Sequence, residues 1–258
     1  MSPPAATRIP SLRPSPSDMK RSLVRQAACG LAFLFLAVGH AWAGFQVGPV
    51  SATLSADQRV AALTVRNTGA AAATIQLQVM VWSQSGGKDV FAPAEDILAT
   101  PPIFSVPAGG SQVIRVGSRR APDAQQERTY RLFLREVPPA PRPGFQGLHV
   151  VLQISLPVFV QPSAAIAANL HWRATRIDAG HLKITADNSG TKHAHLSHLV
   201  LSGEGGKRLP MSDKAVYILA GSNHEWVVDT AVAEGDHLEL AMDSDNQALQ
   251  TDVAVSGP

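Results

Sequence analysis

Three histidines within six residues are the side chains of this chain whose types and spacing point most directly to chemistry: His193, His195 and His198. A β-strand would place His193 and His195 on one face, where two imidazoles could chelate Zn²⁺ or Cu²⁺. No Cys, Asp or Glu lies close by in the sequence to complete a tetrahedral site, and Lys192 precedes the group. A metal site and a solvated strand start both fit this spacing, and we expect the second, with no metal bound.

Catalytic motifs are missing from the sequence. It contains no G-x-S-x-G, H-E-x-x-H, C-x-x-C or P-loop, and no G-x-G-x-x-G placed between a strand and a helix. Nucleophilic, metal-dependent and nucleotide-dependent reactions each need one of these arrangements. We therefore expect a protein that is not an enzyme and that uses no cofactor.

Three arginines lie on one segment with the alternation of a strand: Arg128, Arg131 and Arg135. On a flat strand Arg131 and Arg135 share a face, whereas Arg128 and Arg131 lie on opposite faces. Such residues form surface salt bridges or bind an anion, and the spacing does not choose between the two.

The segment that best indicates function is a run of aliphatic residues at period two: Leu148, Val150, Leu152, Ile154 and Leu156. It predicts one long strand over 148–156. The proline-rich residues 138–144 before it and Pro157 behind it cannot serve a central strand, so we expect a sheet edge. Soluble proteins normally protect a long, uncharged, aliphatic edge. An unprotected one is best explained as a surface that pairs with another chain.

Residues 1–43 have the pattern of a cleaved signal peptide. Three basic residues follow the internal Met19, residues 27–39 are apolar, and an Ala-Trp-Ala sequence ends at Ala43. We expect translation to start at Met19 and the mature chain to start at Gly44. A membrane anchor is the alternative, but the apolar run is shorter than the roughly 20 residues that span a bilayer. We therefore expect no stable membrane insertion.

The predicted leader accounts for the positive net charge of the whole chain. Without it 17 of 22 basic and 19 of 20 acidic residues remain, a formal net charge of −2. No basic field for nucleic acid survives, so we expect no nucleic-acid partner. Cys29, the single cysteine, also lies in the leader, which excludes thiol chemistry and disulfides from the mature protein.

Short alternating segments separated by turn residues fill the rest of the chain. They predict an all-β protein of two immunoglobulin-like sandwiches with a boundary near Pro162, giving domains 44–163 and 164–258. Beyond Asp243 we expect a loop and a last short strand. Strands are predicted over 60–67, 74–82, 103–106, 112–116, 130–137, 181–186, 195–201, 215–219, 224–229 and 237–242.

Four separated motifs together resemble the periplasmic pilus chaperones of the chaperone/usher pathway. Their order and spacing also match, and the resemblance covers essentially all of the mature chain, more strongly in its first half. The motifs are Ala-Thr-Pro-Pro at 99–102, the segment Val-Pro-Ala-Gly-Gly-Ser-Gln-Val-Ile-Arg-Val at 106–116, Tyr-Arg-Leu-Phe-Leu-Arg-Glu-Val-Pro-Pro at 130–139 and Leu-Pro-Val-Phe-Val-Gln-Pro at 156–162.

The resemblance implies two immunoglobulin-like β-sandwich domains in an L-shaped or boomerang arrangement, located in the periplasm. It implies binding of pilus subunits by donor-strand complementation and their delivery to an outer-membrane usher, with neither nucleotide nor metal. In that family an edge strand of the chaperone fills the groove of a subunit that lacks its last strand. At matching positions the inserted side chains are Leu148, Val150, Leu152 and Ile154.

The sequence departs from the family's pattern at the anchor for the subunit's terminal carboxylate. In the best-known branch two basic residues hold it, and the matching positions here are Ser51 and Pro157. The Leu-Pro-Val-Phe-Val segment is closer to the divergent branch called archaic or alternative. We take Arg131 and Arg128 as the candidate anchor, since they lie on the strand expected beside the donor strand; Arg115 and Arg135 belong to the shared motifs.

Two functions of other classes fit parts of the sequence. Trp82, Trp172 and Trp226 could line a carbohydrate site in an exported adhesin, although tryptophan on a sandwich strand more often packs in the core or at a domain interface. The histidine group could belong to a periplasmic metal-binding protein. A subunit chaperone accounts for more of the sequence than either.

Overall fold

The computed structural model describes residues 44–139, 150–203, 208–212, 214–245 and 247–257. These ranges are built of strands, turns and loops, and they hold no helix long and apolar enough to cross a membrane. The prediction of an all-β fold is confirmed. Cys29, the predicted leader and Leu148 lie outside the described residues.

Ten strands precede Pro162 and form two facing sheets. β1, β3, β8 and β6 make a four-stranded sheet, and β2, β10, β9, β4 and β5, with β7 beside β4, make a six-stranded one. One apolar core joins the sheets, from Leu63 and Ile114 on the first to Leu132 and Val158 on the second. The strands are β1 Phe45–Gly48, β2 Ala52–Leu54, β3 Val60–Asn67, β4 Ala73–Ser85, β5 Lys88–Pro93, β6 Ile97–Thr100, β7 Ile103–Val106, β8 Ser111–Ser118, β9 Arg128–Val137 and β10 Gln153–Val160.

Eight strands follow and form a second sandwich with its own core. One layer contains β11, β12 and β16, the other contains β14, β13, β17 and β18 with β15 beside β13, and the parallel pair β11–β18 connects the two. The core joins Ile184 and Trp226 of one layer to Leu201 and Leu240 of the other. The strands are β11 Leu170–Arg176, β12 His181–Asn188, β13 Ala194–Ser202, β14 Arg208–Ser212, β15 Val216–Ile218, β16 Asn223–Asp229, β17 His237–Ser244 and β18 Gln247–Ser256.

The same buried asparagine corner occurs once in each sandwich. Asn67 ends β3, and its amide donates to the carbonyls of Ala71 and Val106 while its oxygen accepts the N–H of the residue two positions on. Asn188 ends β12 and makes the equivalent bonds to Lys192, Ile218 and Gly190. Each side chain satisfies backbone groups that the turn would otherwise bury unpaired. The Asn-x-Gly spacing marks both corners in the sequence.

Two predicted segments differ from the structure in more than the exact residues at which a strand ends. The strand expected over 148–156 begins at Gln153 and continues to Val160, so Pro157 lies inside it and not behind it. The end of the chain forms β18, a strand of ten residues, where we expected a loop and a short strand. β18 pairs along the whole of β17, and this long-range partner overrides the polar local sequence.

Candidate functional site

The site begins with an open edge on β10. β9 pairs with β10 along its full length on one side, whereas β2 covers only Val158–Val160 on the other. No other strand within the described ranges pairs with Gln153–Pro157 on that side. We call this side of residues 153–157 the open edge. Its backbone N–H and C=O groups form a template for a further strand.

Two hydrogen bonds fix which backbone groups face the open edge. The Glu136 N–H donates to the Leu152 carbonyl at 2.9 Å, so even-numbered residues of this segment direct their polar groups towards β9. The Gln161 N–H donates to the Leu54 carbonyl at 2.8 Å, so odd-numbered residues direct theirs towards β2 and the open edge. Gln153 and Ser155 therefore present their backbone groups to an incoming strand.

Pro157 stands where β2 stops and the open edge starts. By the same alternation its missing N–H would have pointed towards β2, beyond the first paired residue Ala52. A proline inside a strand is tolerated where its nitrogen faces no ladder partner, which is the case here. Pro157 thus limits how far β2 can cover β10.

The candidate donor side chains lie on the N-terminal approach to this edge. Val150 is 73% exposed, Leu152 is half-buried, and both precede the first residue of β10. Ile154 is half-buried against the first core, and Leu156 is fully inside it. The aliphatic face therefore passes from solvent at Val150 into the protein's own core at Leu156. Leu148 lies outside the described residues.

Arg128 and Arg131, the two candidate anchors, are not brought together. The Nη1 of Arg128 contacts Asp96 Oδ2 at 2.6 Å and its Nη2 donates to the Ala121 carbonyl, at the end of the first core. Asp96 also accepts the Tyr130 hydroxyl, and burial together with this bond raises the pKa of Tyr130 to about 12. Arg128 is thus held in a network of its own, on the opposite face of β9 from Arg131.

Arg131 lies on the other face of β9, directly opposite Pro157. Its guanidinium carbon is 3.8 Å from the centre of the Trp82 ring and 5.4 Å from that of Tyr217. The Nε is buried with no hydrogen-bond partner among the described residues. Burial lowers the pKa of Arg131, and the nearby Asp89 and Tyr217 oppose this shift. A half-buried cation with an unused donor is suited to bind an anion.

Arg135 shares this face and supports the open edge. Its Nε donates to Gln153 Oε1 at 2.8 Å, and its guanidinium lies over Phe133. Ser51, the other position where the family's pattern has a basic residue, is half-buried just before β2. The cationic groups near the open edge therefore come from β9.

An aromatic joint connects this face to the second sandwich. Trp82 and Phe159 pack with Leu219 and Tyr217, and only 2% of Trp82 is exposed. The side-chain amide of Gln84 donates to the Tyr217 carbonyl and accepts the Leu219 N–H, both at 2.9 Å. The side chain of Gln84 thus pairs with the backbone of the second sandwich as a neighbouring strand would.

His193, His195 and His198 have three different partners. His193 Nδ1 lies 2.6 Å from Glu127 Oε2, and its ring stacks on Phe159 at 3.8 Å. His195 stacks on Tyr217, and burial lowers its pKa. His198 Nδ1 lies 2.9 Å from Asp243. Within the described part of the chain no three His, Cys, Asp or Glu side chains are grouped as metal ligands.

The tryptophans pack as structural residues. Trp172 and Trp226 stack at 5.8 Å against the second core, and Trp82 belongs to the joint. Sequence reasoning identified Arg131 but missed three residues of the joint: Gln84, Glu127 and Tyr217. No local pattern distinguishes them, since each acquires its role from a residue that is distant in the chain.

A family model matches residues 44–165, that of the pili and flagellar-assembly chaperones, PapD N-terminal domain. The matched range contains the first sandwich, the open edge and Arg131. No curated protein matches the chain.

Solved structures match over most of the chain. A chain of the CsuC–CsuE chaperone–tip adhesion subunit pre-assembly complex, from archaic chaperone-usher Csu pili of Acinetobacter baumannii, is 21% identical with a TM-score of 0.64, covering 83% of this chain and 99% of that one. The Salmonella enterica SafA pilin complex with the SafB chaperone gives 17% identity, a TM-score of 0.59, and coverage of 83% and 98%. The Pseudomonas aeruginosa CupB2 chaperone gives 17%, 0.55, and coverage of 82% and 100%. These likenesses establish the fold, two immunoglobulin-like sandwiches.

Proposed function

We propose that the chain, whose residues 44–165 match the family model of the pili and flagellar-assembly chaperones, captures pilus subunits by donor-strand complementation. The open edge of β10 is the observation that carries the proposal. It offers the backbone groups of Gln153 and Ser155 to a subunit strand, while Val150 and Leu152 project from the same segment.

The inserted side chains are Leu148, Val150, Leu152 and Ile154, with Ile154 shared between the subunit and the chaperone's own core. Full burial of each aliphatic side chain contributes about 1.5–3 kcal/mol before ordering costs. The subunit's terminal carboxylate binds Arg131, whose guanidinium has no acidic partner within salt-bridge distance among the described residues. Arg128 is the weaker candidate, because Asp96 already pairs with it.

The setting follows from the family, whose members are periplasmic. We propose that residues 1–43 are removed on export, that domains 44–163 and 164–258 form the mature chaperone, and that it delivers subunits to an outer-membrane usher without catalysis or cofactor. Mass spectrometry of periplasmic material tests the cleavage. A mass that includes residues 19–43 would contradict it.

Co-expression with a pilus subunit encoded alongside the chaperone tests the central proposal. Leu152→Asp and Val150→Asp place a charge where the subunit groove must close, so capture should be lost through the cost of desolvating the carboxylate. The matched control is Val151→Asp, at a neighbouring position that is 47% exposed and alternates to the other face. Thermal melts of all three variants should stay near that of the unmodified chaperone. A Leu152→Asp protein that still co-purifies with its subunit would exclude donor-strand complementation.

A further inference from the structure

The guanidinium of Arg131 contacts two aromatic rings that come from different sandwiches. Trp82, on β4, lies 3.8 Å from the guanidinium carbon, and Tyr217, on β15, lies 5.4 Å from it. The two rings meet edge to face, with centres 5.4 Å apart and planes at 77°. The two rings therefore adjoin each other beside the guanidinium, and one comes from each sandwich.

Arg131 depends on these two rings because few other groups around it stabilise its guanidinium. Its Nε is buried and finds no acceptor among the described residues. A partly desolvated cation without an ion pair is unfavourable unless other groups offset the loss of water. Aromatic faces attract a guanidinium, more strongly where water is excluded, and they also fix the plane of its N–H groups.

Tyr217 is itself held on two sides. The Gln84 amide fixes its backbone through the Tyr217 carbonyl and the Leu219 N–H. His195 stacks on its ring, with centres 4.4 Å apart and planes at 28°. β15 is only three residues long, so these contacts from β4 and β13 position the ring more firmly than the strand alone could.

We infer that Tyr217 is a positioning residue of the carboxylate anchor: its ring and that of Trp82 together fix the Arg131 guanidinium, so that the second sandwich completes an anion site built on the first. The inference rests on the proposed function. It assigns the second sandwich a direct part in capture, although that sandwich contributes nothing to the open edge. Binding of the subunit's terminal carboxylate then depends on how the two sandwiches pack together at the aromatic joint.

The test uses the full mature chaperone and a synthetic peptide of the last strand of a co-encoded pilus subunit, with either a free carboxylate or an amide at its C-terminus. The ratio of the two affinities isolates the anchor from the rest of the strand. Unmodified chaperone should prefer the free carboxylate by about tenfold or more. Tyr217→Met, which keeps bulk but removes the ring, should reduce this preference to about twofold, and Tyr217→Phe should restore it.

A purely structural role for Tyr217 predicts a different result, since loss of the joint would weaken both peptides equally and leave the ratio unchanged. That outcome would overturn the inference. If Tyr217→Met does not fold, Gln84→Met, which releases the Tyr217 backbone, should give the same reduced ratio.

Parallel measurements distinguish a failure of this inference from a failure of the Arg131 anchor or of donor-strand capture. Arg131→Ala should abolish the carboxylate preference, and adding Tyr217→Met to it should change nothing further. An Arg131→Ala protein that keeps the preference would remove the anchor and this inference with it, while donor-strand capture would stand. If Leu152→Asp still co-purifies with its whole subunit, the proposed function itself fails.

Discussion

Arg131 and Pro157 are cross-strand partners, placed directly opposite each other by the register of β9 and β10. They form a pair whose backbone groups point away from each other, and in such pairs the Cα atoms are about 4.5 Å apart with both side chains on one face. The family's pattern has a basic residue at the position of Pro157. Arg131, on the neighbouring strand, lies beside this position, which supports the proposal that it takes the place of the missing basic residue.

Arg131→Ala should weaken capture of a pilus subunit by about 2–5 kcal/mol, as for a desolvated charge pair that loses one partner. The matched control is Arg128→Ala on the same strand, which removes a pair with Asp96 but leaves the face of β9 that carries Arg131 unchanged. Titration calorimetry or competition binding gives the affinities. If Arg131→Ala costs under about 1 kcal/mol, the arginine forms no more than a peripheral contact.

The all-β fold could be predicted because its central strands are locally consistent. In β3, Val60–Asn67, exposed and buried residues alternate without interruption, and the sequence shows the same alternation. β1, β2, β5, β6, β11 and β14 were missed, the first four because three or four residues or an exposed edge give too little pattern. β5 is exposed along its whole length and exists only because β4 pairs with it. Edge strands are therefore defined by their neighbours, not by their own residues.

The candidate site likewise contains some residues that the sequence identifies and others that it does not. The aliphatic run and Arg131 are visible in the sequence because each belongs to a strand with clear periodicity. Tyr217 and Glu127 become functional candidates only through contacts with residues more than 60 positions away. Pro157 was interpreted as the end of a strand, whereas it lies within one. A proline can stay in a ladder when its nitrogen faces an open side, and the sequence does not show which side is open.

Asn67→Ala and Asn188→Ala should each lower the free energy of unfolding by about 1–3 kcal/mol for every carbonyl left buried without a donor. Chemical denaturation measures the change. Asn169→Ala is the control, because the Asn169 side chain bonds only exposed groups and its loss should cost no more than about 0.5 kcal/mol. Equal effects at all three positions would contradict the structural role of the two corners.

Glu127→Leu should loosen the joint between the sandwiches. Glu127 Oε2 accepts from the His193 backbone N–H at 3.1 Å and faces His193 Nδ1, and the carboxylate is fully buried. Removing it leaves buried donors unpaired, at about 1–3 kcal/mol each. Limited proteolysis should then cut between the sandwiches faster. Glu225→Gln, in an exposed pair with Lys183, should leave the proteolysis rate unchanged. Equal protection in the Glu127 variant would contradict a role in the joint.

The two tyrosines of the chain provide a test of the site at alkaline pH. Burial raises the pKa of Tyr217, with Arg131 opposing the shift, and burial and Asp96 raise that of Tyr130 to about 12. Both phenols should therefore stay protonated in the folded protein at pH values near 10, where an unfolded chain ionises. Because the unfolded state then binds fewer protons than the folded one, stability should fall as the pH rises above about 10.

Phenolate absorbance measures the ionisation of the two tyrosines, and circular dichroism of the same samples shows whether the protein remains folded. Ionisation should lag behind that of the chain in denaturant, and Tyr130→Phe should leave one phenolate, that of Tyr217, to titrate. Arg131→Ala should raise the pKa of Tyr217 further, because the cation that favours its phenolate is gone. If two phenolates appear near pH 10 while the β spectrum stays intact, neither tyrosine ring is buried. That result would contradict the packing of Tyr217 against Arg131.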